Sequence, residues 1–300
     1  MGYLKTPFRP RRSFRRSRRF GRSYAKTGRS TGFRRYRRRY TRRPTYRRRM
    51  TSKKVRNIAS AKKYDTMLGA TGVGEIPVPS SLSIPAGSTY MIWCPTYRPH
   101  DEASNPHHRN SQRVFWRGVR ERVLLSASFE LTHRRVCFWS YRRFEEAVPY
   151  QDEAEDVWRR PLRTITPDGS PDLFEELWKG HLDLDYTEDT RWNSPIDNRR
   201  FTIVSDKQYT INPNYQLPQG SSFGKTRTSK FWHVMNSTMM YDSEEAGSDD
   251  LDSPWAAVAP GNCANYYVLD IFSTGQSLEG DQPAVGTFST TAGVYWHEQN

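Results

Sequence analysis

The chain has 300 residues, 47 Lys or Arg against 32 Asp or Glu, and a formal net charge of +15. Residues 1–64 hold 26 of the basic residues and no acid, so the rest of the chain is acidic, with 21 basic residues against 32 acidic. No stretch approaches 18 apolar residues and no apolar leader core is present, so we expect neither a membrane-spanning helix nor a secretory leader.

Residues 1–50 read as a disordered arm. Like charges at this density repel, and too few aliphatic residues are present to offset the cost of ordering the chain. The arm is dominated by arginine, whose planar fork pairs with phosphate oxygens. Aromatic rings are interleaved with the arginines and can stack on unpaired bases. Arg34, Arg35, Tyr36, Arg37, Arg38, Arg39, Tyr40, Arg42, Arg43, Arg47, Arg48 and Arg49 are the candidate DNA-binding residues, and Lys53, Lys54 and Arg56 extend the set. Arg11, Arg12, Arg15, Arg16, Arg18 and Arg19 are the candidate nuclear-import signal. A signal of that kind needs about 5–8 basic residues. The arm has several times as many, so import alone does not explain it. It also lacks the sustained apolar face of an interfacial helix.

Residues 51–68 form a junction of mixed charge, read as a first strand or a short extended segment. Residues 69–300 read as one β domain. Strands are expected at 88–94, 122–131, 134–141, 200–205, 207–211, 230–236 and 265–272, with a last edge strand at 294–297. Thr132 and His133 would join two of these as a hairpin. The stretch SPDLFEELWKG at 170–180 is the one predicted helix, with Ser170 to cap it, Pro171 in the first turn and Gly180 to end it. Many short strands, long loops and one short helix predict an all-β fold, a single antiparallel jelly-roll sandwich preceded by the basic arm.

Cys94, Cys137 and Cys263 are odd in number and far apart, which argues for buried free thiols and a reducing compartment. No Cys pair has zinc-ligand spacing, and no metal or other cofactor is expected. His107 and His108, with His100 and Asp101 nearby, read as solvated loop residues. Asp183, Asp185, Glu188 and Asp189 read as a solvated acidic loop, with a divalent ion between subunits as the less favoured reading. GSSFGKT at 220–226 has three residues between its glycines, where the ATP-binding loop needs four. A replication nuclease would need two histidines separated by one residue, and the chain has none. Trp93, Trp116, Trp139, Trp232, Trp255 and Trp296 read as core and interface packing. We therefore expect no enzymatic activity.

Several stretches resemble one family in order along the chain. They are AKKYDTML at 61–68, RGVRERV at 117–123, RRVCF at 134–138, RFTIVSDKQYTI at 200–211, FWHVMNSTMMYDSEEAG at 231–247 and YYVLDIFS at 266–273. Together with the Arg/Tyr-rich arm, they resemble the capsid proteins of genomoviruses, small circular single-stranded DNA viruses. The resemblance implies a jelly-roll shell domain and self-assembly into an icosahedral T=1 shell of 60 copies. It also implies an arm facing inward on the DNA, entry into the host nucleus through the import machinery, a host receptor, and location in the virion. The other reading is a cellular nucleic-acid-binding protein, ribosomal or chromatin-like, with a basic extension.

Overall fold

The computed structural model describes residues 50–299, apart from 74–75, 102–104, 153–155, 214–223, 247–248 and 275–283. The arm residues Arg11 to Arg49 named above lie outside the described residues.

Two α-helices and thirteen strands are present among the described residues. They are α1 (Ser52–Ala59), β1 (Ser60–Val73), β2 (Ile76–Pro79), β3 (Leu82–Ile84), β4 (Ser88–Trp93), β5 (Arg113–Ala127), β6 (Leu131–Ser140), β7 (Tyr150–Asp152), β8 (Val157–Pro161), α2 (Pro171–Leu177), β9 (Thr202–Ile211), β10 (Lys225–Ala246), β11 (Asp249–Ala256), β12 (Asn265–Ser273) and β13 (Gly286–Gln299). The fold is all-β. One sheet has the central order β1-β13-β5-β10, and the other has the order β4-β12-β6-β9. The chain alternates between the sheets except from β6 to β9, and its first and last strands lie side by side. This nesting of two four-stranded sheets is the jelly-roll arrangement. The first sheet is extended by β11 beyond β10, and by β8 and β7 beyond β1, with β2 paired to β1 and β3 to β13.

Several details differ from the sequence-based expectation, among them that the strands expected at 200–205 and 207–211 form the single strand β9. Residues 52–59 of the junction form a helix, and residues 60–68 already lie in β1, paired with β13. The 294–297 segment belongs to β13, a long strand between β5 and β1 rather than an edge. Thr132 and His133 lie inside β6 and form no hairpin. The chain leaves β5 at Ala127 and crosses to the other sheet, so β5 and β6 do not pair.

The two faces of each sheet differ. In β5 burial alternates, and Val119, Glu121, Val123 and Leu125 point inward. With Trp93, Trp116, Trp296 and Phe288 they help fill the space between the sheets. In β12 every residue is buried, because the second sheet is covered on its far side as well. There α2 lays Leu173, Phe174 and Leu177 against Tyr90, Phe138 and Leu269. Each such burial is worth about 1.5–3 kcal/mol. Ser170 occupies the N-cap position without a side-chain cap bond, and Pro171 opens the helix. Gly180 follows at φ +101°, where an added Cβ would strike Asp185. The far side of the second sheet is therefore packed, while among the described residues nothing covers the far side of the first sheet.

Between the sheets sits a fully buried ionic cluster. Arg135 bridges Glu121 at 2.6 Å and Asp270 at 2.7 Å, and Arg160 reaches the same two carboxylates at 2.9 and 2.5 Å. Thr290 donates to Glu121, and His133 contacts Asp270 at 2.7 Å. Burial alone would raise the pKa of both carboxyls, but the two guanidinium groups reverse this and hold them well below the usual carboxylate range.

Candidate nucleic-acid interface

Of the residues singled out for DNA, only Lys53, Lys54 and Arg56 are described. All three lie within α1, where the backbone N–H groups of Lys54 and Val55 donate to the Thr51 carbonyl. Lys54 is exposed, as are Val55 and Ile58. α1 runs directly into β1, so the basic arm is joined in sequence to the first strand of the bare sheet.

The outward face of that sheet is a second basic surface, and it was not foreseen from the sequence. Side chains alternate along a strand, so every second residue of β1, β13, β5 and β10 points away from the core. These outward positions carry Lys62 on β1, Arg117, Arg120 and Arg122 on β5, and Lys230 on β10. Up to Met240 no described outward position on these four strands is acidic, although the sequence beyond the arm has a surplus of acids; Asp242, next along β10, pairs with Arg143 at 2.7 Å. Lys230 lies opposite Arg122, and Trp232 lies opposite Arg120. No ion pair engages Arg120, Arg122 or Lys230 among the described residues. Arg117 hydrogen-bonds the Asn236 side chain.

Aromatic rings cross this face. Tyr64 stacks on Tyr295 with ring centres 6.2 Å apart, and Tyr295 meets Trp232 at 5.8 Å. The glycine at 118 makes this possible. A Cβ there would lie 3.1 Å from the indole of Trp232 and 2.4 Å from the His233 carbonyl oxygen. Without a side chain at 118, the indole can lie across β5 toward β13. A β-bulge between Val234 and Ser237, with Asn236 at φ +50°, sits beside it. Tyr64 is 65 % exposed and Trp232 45 % exposed, so their rings are open to stacking. His297, on the same face, has its pKa lowered, first by burial and then by the nearby charges of Lys62 and Arg117. Of the six tryptophans assigned to packing, Trp93, Trp116, Trp255 and Trp296 are buried and Trp139 is half-buried. Trp232 is the exception.

The histidine loop is also corrected. His108 is buried and accepts a hydrogen bond from the Trp158 indole at 3.3 Å, while His107 contacts Asp65 at 2.8 Å. Asp65 also pairs with Arg98 at 2.8 Å. The loop is thus fastened to β1 rather than solvated. Potential ligand atoms of Asp101, His108 and Asp156 lie within 4.8 Å of one another, but the Asn105 amide already donates to both carboxylates. Asp183, Asp185, Glu188 and Asp189 form no ligand group among the described residues. Asp185 instead accepts the His181 backbone N–H at 2.8 Å. Of GSSFGKT, residues 220–223 lie outside the described residues, and Lys225 begins a strand rather than a helix. Cys94, Cys137 and Cys263 are free thiols, and Cys263 is only half-buried.

No family model and no curated protein matches this chain. Among solved structures, the chain is similar to the VP1 pentamer of human polyomavirus 6, at 9 % identity over 81 % of this chain and 96 % of that one. The TM-score is 0.17, too low to assign this chain a fold or a function.

Proposed function

We propose that this chain is the capsid protein of a genomovirus-like virus, which self-assembles into a T=1 shell of 60 copies and packages circular single-stranded DNA. The supporting observation is the open face of the first sheet among the described residues, which is basic and aromatic and has no acid at its described outward positions before Asp242, on a jelly roll whose first strand follows the basic arm and α1 in sequence. A packed second sheet and an open, cationic first sheet suit a subunit with one side toward nucleic acid. The arm supplies most of the neutralisation. Sixty copies of residues 1–50, with 21 basic residues each, would bring on the order of 1,300 positive charges if each paired with one phosphate, the scale of a very small genome. The contacts available are phosphate pairing and base stacking, so binding would tolerate any sequence. The basic blocks at Arg11 to Arg19 would also serve the host import machinery and take the protein to the nucleus. In this reading the chain has no enzymatic activity.

The test is electron microscopy of the purified full-length protein, with nuclease digestion before nucleic acid is extracted. Uniform closed particles holding protected DNA are expected. A soluble monomer that leaves its nucleic acid open to nuclease overturns the capsid reading and favours a cellular binding protein. Removing residues 1–49 should abolish encapsidation and nuclear entry while leaving the β domain soluble.

A further inference from the structure

The two sheets do not close on each other along one side. Among the described residues, β9 pairs only with β6 and β11 covers β10 only from Tyr241 onward, which leaves the first half of β10 without a strand partner on that edge. Between these strands lies a cleft of about 590 Å³, within the range of roughly 300–1,000 Å³ typical of small-molecule sites.

Its chemistry is unusual for the inside of a sandwich. Lys207 lies opposite Arg135, and Arg227 opposite the buried Leu125, so both occupy inward positions where an apolar side chain would be expected. Arg135 is neutralised by Glu121 and Asp270. Lys207 and Arg227 have no acidic partner among the described residues, and no lining residue is acidic. Two like-charged inward positions at one mouth are unfavourable until an anion joins them. The rest of the wall is aromatic. Arg227 lies over the Tyr209 ring at 4.5 Å, and Tyr209 meets Phe231 at 6.1 Å. The buried Tyr266 also lines the cleft.

We propose that this cleft binds one nucleotide unit of a single-stranded nucleic acid, with phosphate at Lys207 and Arg227 and the base against Tyr209 and Phe231. The assignment rests on the nucleic-acid reading above and deepens it. Rings beside unpaired cations favour a nucleotide over a bare anion. Lys230 and Trp232 line the cleft and also belong to the outward basic face, so one strand of nucleic acid could run from the face into the cleft.

The test is calorimetric titration of the full-length protein with the dinucleotide pTpT in about 0.5 M NaCl, which suppresses diffuse binding by the arm. Saturable binding is expected for the native protein. Lys207→Ala with Arg227→Ala should weaken it at least tenfold, and Tyr209→Ala at least about fivefold. The proposal is overturned if binding does not saturate, if it is unchanged in the double variant, or if inorganic phosphate binds equally well. It is also overturned if the double variant changes only the oligomeric state, since the cleft would then be a subunit contact. Particle formation is scored separately in the microscope. pTpT binding without particles would sink the capsid reading and spare the cleft, and particles without pTpT binding would do the reverse.

Discussion

Arg135 of β6 reaches across the sandwich to Glu121 of β5, placing a guanidinium nitrogen 2.6 Å from the carboxylate with both side chains buried. This pair ties the two sheets together at the level of the open cleft. Arg135 also holds Asp270 through two nitrogens, at 2.7 and 3.0 Å. Removing Arg135 would leave two buried carboxylates with Arg160 as their one remaining guanidinium partner. Arg135→Met should therefore cost about 3–5 kcal/mol of stability, read as a lower urea midpoint for the full-length chain. Arg135→Met combined with Glu121→Gln should cost less than the single change, because one stranded charge is gone. If the single variant is as stable as the parent, the cluster is not what joins the sheets.

The same cluster sets an acid limit. Glu121 and Asp270 titrate below their ordinary values in the folded chain, so folding is favoured wherever the unfolded carboxylates would be ionised. That contribution is complete above the ordinary carboxylate range near pH 4, and it disappears as pH falls below it. Thermal melts should hold steady from neutral pH to about pH 5 for this term, then drop steeply. Glu121→Gln should flatten the drop.

Much of the second sheet was legible in the sequence. β4 and β12 are buried on both faces, so they read as continuous apolar runs with sharp ends. The first sheet was read less well. β13 opens with GTFSTTAG, small and hydroxylated residues that do not mark a central strand, and its position depends on pairing with β5 and β1. The helix at 52–59 was hidden inside a charge run. The basic arm was legible because its residues are contiguous. The basic face was not, because Lys62, Arg120 and Lys230 are brought together only by strand order. The clue was in β5, where Arg117, Arg120 and Arg122 are interleaved with apolar residues and shift phase at Gly118. Asp270 within YYVLDIF was a comparable clue to the buried cluster.

An alkaline limit follows from His233. Burial works against its charged form, but contacts with the Cys137 thiol and the Glu121 carboxylate outweigh that and raise its pKa to about 9. A raised folded pKa adds stability that is complete below the ordinary imidazole value near 6.5. It is lost as pH rises through about 9. His233→Gln should remove this alkaline slope, measured by denaturation at pH 6, 8 and 10.

Gly118 links backbone to surface. Its φ of +150° and the 2.4 Å approach of a built Cβ to the His233 carbonyl leave no room for a side chain. Gly118→Ala should cost about 1–3 kcal/mol and move the Trp232 ring away from Tyr295. Tryptophan fluorescence would report that shift. A native-like spectrum and midpoint would show that the bulge accommodates the methyl group.

The strongest check on the basic face is the salt dependence of DNA binding. Each phosphate contact to a single strand contributes about 0.7 to the slope of log affinity against log salt. Arg120 and Arg122 are exposed and have no ion-pair partner among the described residues, so replacing them should leave the fold intact. If both contact phosphate, Arg120→Ala with Arg122→Ala should lower the slope by about 1.4, measured by fluorescence anisotropy with an oligo(dT) strand. The arm is present in both proteins and its contribution cancels in the difference. An unchanged slope would mean that nucleic acid touches the arm alone. The basic face would then have to be explained by contacts between subunits. Trp232→Ala separates these outcomes, since losing a stacking ring should weaken binding by about 1–3 kcal/mol without changing the slope, whereas a subunit contact would change assembly instead.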